Sequence, residues 1–120
     1  SLILKPRIAI ISDLWGFDND PYVNMYIEKL YNHFDVDLID AQLLGDIRPS
    51  QDEPEIHTQF VESGIQLAAD RLVKSDIHFD LLIGFSVGGT IGWKAIADGA
   101  KIDSLITISA LFRYGAAFGP

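Results

Sequence analysis

The chain is 120 residues long, 48% hydrophobic and 22% charged, with a formal charge of −8. That length suits one domain with a real core and not two. The hydrophobic fraction excludes a disordered or fibrous chain, and the acidic balance, with no cluster of Lys or Arg, argues against a nucleic-acid partner. With no cysteine, neither a disulfide framework nor a thiolate metal site can exist. No apolar run approaches the roughly 20 residues of a membrane span, and SLILKPR is too short for a signal peptide. The expectation is a single α/β domain over residues 1–120, in the cytoplasm and away from membranes.

In chain order, Arg7 to Ser12 (RIAIIS) is mostly β-branched and apolar on both faces, as a central parallel strand should be. The loop DLWGFDND follows, and Asp20-Pro21 reads as an N-cap with proline in the first helical position. Tyr22, Val23, Tyr26, Ile27, Leu30, Tyr31 and Phe34 recur at helical spacing, predicting a helix to about Phe34. Asp35 to Asp40 (DVDLID) is a second strand whose alternating acids place it nearer an edge.

Ala41 to Pro54 reads as loop, punctuated by Gly45, Pro49, Ser50 and Pro54. A long helix is predicted from about Glu55 to Lys74, with Phe60, Val61, Ile65, Ala68 and Leu72 buried and Gly64 as a weak point. Then come a strand over Phe79 to Phe85, a helix from Val87 to Asp98 with Gly99 as its C-cap, and a strand over Ser104 to Ser109. Four strands separated by helices imply a parallel sheet of about four strands with helices on both faces. Sites in such sheets form outside the carboxyl ends of the strands, which here carry Ser12-Asp13, Asp40, Ser86 and Ser109.

The chemistry concentrates in Gly84-Phe85-Ser86-Val87-Gly88-Gly89. A serine on a sharp strand-to-helix turn needs small residues two before and two after it, and Gly84 and Gly88 stand there. Such a turn lifts the hydroxyl above the sheet at the positive end of the next helix, where the Val87 N–H can meet a developing oxyanion. The competing reading is a phosphate-cradling or purely structural turn. A dinucleotide fingerprint would want glycine at Ser86, and a P-loop would want Gly-Lys-Ser/Thr where the chain has Gly89-Thr90-Ile91.

The segment GFSVGG resembles the elbow of α/β-hydrolases, particularly of the dienelactone hydrolase family, whose elbow reads Gly-Tyr/Phe-Cys-x-Gly-Gly. Ser12-Asp13-Leu14-Trp15-Gly16-Phe17 is similar to that family's His-Glu-x-Phe-Gly-Leu loop. The resemblance covers about Arg7 to Ala110 and implies a partial α/β-hydrolase fold, its third through sixth strands. It also implies an ester, lactone or thioester hydrolase working through an acyl-serine, with a small-molecule acyl substrate and no metal or organic cofactor. Ser86 would be the nucleophile, the backbone N–H groups of Val87 and Leu14 the oxyanion hole, Asp13 an accessory acid, and Trp15 and Phe17 pocket-lining. Serine in place of cysteine, and Ser12 in place of histidine, are departures from that family. Asp13 reads equally as a carboxylate capping its own loop, and the aromatics equally as packing.

A serine nucleophile needs a histidine base and an orienting acid, and no histidine follows Ser86. Asp98 and Asp103 belong at the opposite edge of the sheet, and Ser109 to Pro120 carries only Arg113 as a charge. His33 and His78 also fall at the wrong edge. His57 is on the correct side, but after a strand expected two positions from the serine strand, and a surface helix residue is the competing reading. The expectation is an incomplete hydrolase. The alternative is a flavodoxin-like module whose DLWG and GFSVGG loops hold phosphate or flavin without catalysis. The last strand, Ser104 to Ser109, reads as buried on both faces yet stands at the sheet edge, which invites pairing with a second copy.

Overall fold

The computed structural model describes residues 4–18, 21–48 and 52–110, with residues 21–23 described by backbone alone. Asp20, Pro49, Ser50 and Arg113, and the side chains of Tyr22 and Val23, lie outside that description. Four strands, β1 (Arg7–Ile11), β2 (Asp35–Ile39), β3 (Leu81–Phe85) and β4 (Leu105–Ile108), form one all-parallel sheet in the order β2-β1-β3-β4. The helices are α1 (Pro21–Leu30), α2 (Ala41–Leu44), α3 (Glu53–Gln59), α4 (Ile65–Ser75) and α5 (Val87–Ala97).

Strand β1 is central because its side chains are apolar on both faces, as its alternation shows. Ile8 and Ile10 pack with Ile27 of α1, whereas Ala9 and Ile11 join Ala68, Leu72 and Ile91 on the other side. The chain leaves β1 toward one edge and β3 toward the other. Right-handed crossovers therefore put α1 on one face and the later helices on the opposite one. The crevice between β1 and β3 at their carboxyl ends is the point where strand order reverses, the position at which open α/β sheets build their sites.

The structure departs from the sequence reading in four places. Helix α1 stops at Leu30 rather than Phe34, because the Leu30 carbonyl accepts from both His33 N (3.0 Å) and Phe34 N (2.9 Å) and turns the chain. The expected loop after β2 opens instead with α2, capped by the Asp40 carboxylate, which accepts from Leu43 N at 3.1 Å. The long helix is interrupted by a π turn over Phe60–Gly64. One wide turn rotates the stripe, so Phe60 is fully buried while Val61 faces solvent. Gly64 sits in that turn, where a Cβ would come within 3.1 Å of Ile47 Cδ1 and 3.0 Å of Phe60 Cδ1.

Finally, β4 is half-buried on one face and exposed on the other. Leu105 packs into the core shared with α5, but Ile106 and Ile108 are 49% and 43% exposed on the α1 side. Helix α1 lies over the β1 side of that face and does not extend across β4. Helices α4 and α5 are joined at the far end by Asp98, which accepts from Lys94 Nζ (3.1 Å) and Gln66 Nε2 (3.2 Å). The Lys94 hydrogen bond first, and then that of Gln66, hold its carboxyl below the usual carboxylate range.

The tightest packing lies where α5 meets the sheet. A Cβ on Gly88 would stand 2.5 Å from both the Ile11 and Ser12 carbonyl oxygens, and those are backbone atoms that cannot swing aside. Gly88→Ala is accordingly expected to cost about 1–3 kcal/mol, the usual range for overpacking a close contact. Urea denaturation of both proteins checks it, and an unchanged midpoint would mean that α5 does not press on β1.

Candidate active site

Ser86 occupies the single residue between β3 and α5 with φ 51° and ψ −116°. Other non-glycine residues of positive φ occur, and Asp76, at φ 56° and ψ 21°, sits in the ordinary left-handed helical well. Ser86 does not. Its ψ places it outside every region that an L-residue occupies comfortably, at a cost on the order of 1–3 kcal/mol. The backbone is held there from both sides, since Ser86 N donates to Ile108 O of β4 (2.7 Å) and the Ser86 carbonyl accepts from Gly89 N (3.0 Å).

The glycines make that turn possible. A Cβ on Gly84 would lie 2.4 Å from Gly89 Cα, so strand and helix touch backbone to backbone directly beneath the serine. Gly89 is nearly as tight, since a Cβ there would stand 2.6 Å from Ala110 Cβ. Among the described residues no side chain hydrogen-bonds the Ser86 hydroxyl, and no acceptor takes the amides of Leu14 or Val87. The Val87 N–H opens α5, where no carbonyl one turn earlier belongs to the helix.

The loop after β1 is brought against this turn, because Gly88 of α5 presses on the Ile11 and Ser12 carbonyls. Leu14 and Val87 belong to the same buried cluster. Ser12 is a buried hinge pin: its hydroxyl accepts from Ala41 N (2.8 Å) and donates to Asp13 O (3.0 Å), tying the loop to the start of α2. Gln42 of α2 donates to Leu14 O at 2.6 Å, and Asn24 of α1 donates to Phe17 O at 2.9 Å. Gly16, at φ 83°, leaves room for the Asp40 carboxylate, which a Cβ there would strike.

The two readings of the flanking residues can now be compared. Asp13 Oδ1 accepts from Trp15 N at 2.9 Å, the local cap of its own loop. Trp15 is exposed, whereas Phe17 packs against the Ile8, Ile10 and Ile27 cluster. His57 lies on α3 with Nε2 3.5 Å from Glu53 Oε1, one turn back on the same helix. His78 pairs with Asp103 at 2.9 Å beside the amino ends of β3 and β4, about 26 Å from Ser86 at strand rise. Ser86, Val87, Leu14 and Asp13 are thus gathered at one rim, and the histidines are not joined to them among the described residues.

Sequence reading missed the contribution of α2. Asp40, Gln42 and the Ala41 amide all support the Ser12–Phe17 loop, and the one signal for it was an acidic residue immediately before Ala41-Gln42-Leu43-Leu44. Comparison with known proteins returned no matching family model, no matching curated protein and no matching solved structure.

The backbone strain at Ser86 can be separated from its hydroxyl. Because no described residue hydrogen-bonds the hydroxyl, Ser86→Ala is expected to leave stability within about 0.5 kcal/mol. Ser86→Gly relieves about 1–3 kcal/mol of strain and gives back about 0.5–1 in chain entropy, so it should be more stable than Ser86→Ala by about 1 kcal/mol. Chemical denaturation of the two variants decides it, and equal midpoints would mean that no strain is stored there.

Proposed function

We propose that this chain carries the nucleophile and oxyanion hole of a serine hydrolase of the α/β-hydrolase type. The observation that carries the reading is the Ser86 conformation, a non-glycine residue at φ 51° and ψ −116° on a turn whose flanking glycines permit no side chain. A structural turn gains nothing from a strained serine, because glycine would occupy it at lower energy. A nucleophile gains a hydroxyl lifted over the sheet at the positive end of α5, where Ser86 is half-buried.

In this reaction Ser86 Oγ attacks the acyl carbon of an ester, lactone or thioester and its proton passes to a base. The carbonyl oxygen becomes an oxyanion held by the Val87 and Leu14 amides, and collapse expels the leaving group to give the acyl-serine, which water then hydrolyses. Both amides are without a protein acceptor among the described residues. Among the described residues no hydrogen bond or ion pair joins a histidine to Ser86. An unassisted hydroxyl is a weak nucleophile, so this chain alone should turn over esters slowly, with at most about 10³–10⁴-fold residual catalysis over water.

The order β2-β1-β3-β4 is equally that of a flavodoxin-like sheet, and the Val87 amide at the start of α5, without an acceptor among the described residues, suits an anion. Against that alternative, the rim carries the Asp13 and Asp40 carboxylates, and a phosphate loop has no use for a strained serine. A fluorophosphonate probe with intact-mass and peptide analysis separates the two. Ser86 should be the labelled residue, labelling should accelerate when imidazole supplies an external base, and Ser86→Ala should abolish it. A protein that stays unlabelled with imidazole present, or that purifies with flavin absorbance, would overturn the hydrolase reading.

We also propose that the outer edge of β4 pairs with a second copy. Ser104 to Ser109 contains no charge, proline or other edge-blunting residue, and Ile106 and Ile108 flank Thr107 symmetrically, so antiparallel pairing about Thr107 would set each Ile106 opposite the other chain's Ile108. Sedimentation should show self-association that Ile106→Lys reduces, and a strictly monomeric chain at high concentration would overturn the proposal.

A further inference from the structure

At the opposite rim of the sheet, His78, Asp80 and Asp103 each present one donor atom, and these atoms all lie within 4.8 Å of one another. The arrangement follows from strand geometry. Phe79 and Ile102 form a parallel bridge, so the residues flanking Phe79 share one face and meet the residue after Ile102. We propose that these three side chains form a binding site for a divalent ion of the Zn²⁺, Co²⁺ or Ni²⁺ type, which staples the amino end of β3 to the segment entering β4.

The backbone beneath the donors is fixed. Phe79 N donates to Lys101 O (2.9 Å), Asp103 N to Phe79 O (3.0 Å) and Asp80 N to Arg7 O (2.9 Å). The Asp80 side chain is oriented from outside the trio, accepting from Arg7 N at 2.8 Å through Oδ2. Two strands and their approach segments thus hold the three Cα atoms, and closing the shell needs side-chain rotation alone. Tetrahedral zinc takes imidazole nitrogen at about 2.0–2.1 Å and carboxylate oxygen at about 2.0–2.2 Å, which requires donors about 3.4 Å apart. His78 Nε2 and Asp103 Oδ2 are already at 2.9 Å.

The charge around the trio is an independent observation. The neighbouring cations are engaged elsewhere: Arg7 pairs with Asp37 at 2.8 Å and lies over the Phe79 ring, and Lys101 pairs with Asp76 at 2.8 Å. Among the described residues Asp103 therefore pairs with His78, and Asp80 accepts from the Arg7 amide but meets no cationic side chain, in a chain of formal charge −8. The imidazole sets the class of ion. A purely carboxylate patch would favour Ca²⁺ or Mg²⁺, whereas a nitrogen donor with two oxygens and open water positions favours the borderline metals. A coordinating imidazole must offer an unprotonated nitrogen, so acidification should weaken the site. All three side chains are exposed, and the expected affinity is modest.

The test uses this chain stripped with EDTA and dialysed. Calorimetry with Zn²⁺ should show saturable one-to-one binding, Co²⁺ should develop visible ligand-field absorption, and the melting temperature should rise with Zn²⁺. His78→Ala and Asp103→Asn, both exposed and checked for folding by circular dichroism, should each weaken binding at least about tenfold, while His33→Ala should leave it unchanged. Absence of saturable binding up to about 1 mM Zn²⁺ would overturn the proposal. So would binding that survives His78→Ala, or equal stabilisation by Ca²⁺ independent of His78, which would make the trio an ordinary acidic surface.

Discussion

The backbone contact between α5 and the ends of β1 and β3 is the constraint on which the rest depends. Where Gly84 meets Gly89, and Gly88 meets the Ile11 and Ser12 carbonyls, there is no space for a single methyl group. That closeness brings the amino end of α5 down onto the sheet within one residue of β3, and the residue left to make the turn is forced to positive φ. A chain cannot place a helix start so near a strand end without straining the link between them. Here the strain falls on Ser86, the one residue in the turn with a hydroxyl. Packing and chemistry are thus one feature seen from two sides.

The same contact determines the opposite wall of the site. Because Gly88 abuts the end of β1, the Ser12–Phe17 loop leaves β1 against the start of α5, and it is then held away from collapse by α2 together with its own Asp13 turn. The buried Ser12 hydroxyl is satisfied as donor and acceptor, and Gln42 secures the Leu14 carbonyl. A buried polar group left unpaired costs about 1–3 kcal/mol, so this network resists local opening, and the Leu14 amide is presented by a rigid loop. Preorganised donors of this kind stabilise a developing charge without reorganising at the moment of reaction.

How much of this was legible follows from the range over which each feature is determined. The four strands, their order in the chain and the serine turn were readable, because continuous β-branched runs and a glycine-flanked serine are local signals. The assignment of β4 as buried on both faces failed because burial there is set by where α1 ends in space, and Leu105-Ile106-Thr107-Ile108 has the same composition whether or not a helix covers it. The π turn at Phe60–Gly64 was invisible for a similar reason. Helical periodicity continues through it, and only the Gly45–Gly64 approach reveals why the stripe must rotate. Helix α2 was missed because four residues carry too little periodicity to register. Asp80 joins His78 and Asp103 through a bridge that spans more than twenty residues, which no local pattern reports.

Residue type alone would misplace the proposed chemistry. The chain contains a histidine hydrogen-bonded to an aspartate, His78 with Asp103, the two partners that a serine nucleophile requires. They are at the wrong end of the strands. β3 carries His78 before its first residue and Ser86 after its last, and its rigidity keeps the two apart by about 26 Å. A parallel sheet gives its two rims different electrostatic character, since the rim where strands end also receives the positive helix starts. The amide-rich rim suits a developing oxyanion, whereas the other, supplied here with carboxylates and an imidazole, suits a cation. A side chain's role in this protein is therefore decided first by the rim to which its strand delivers it, and only then by what it is.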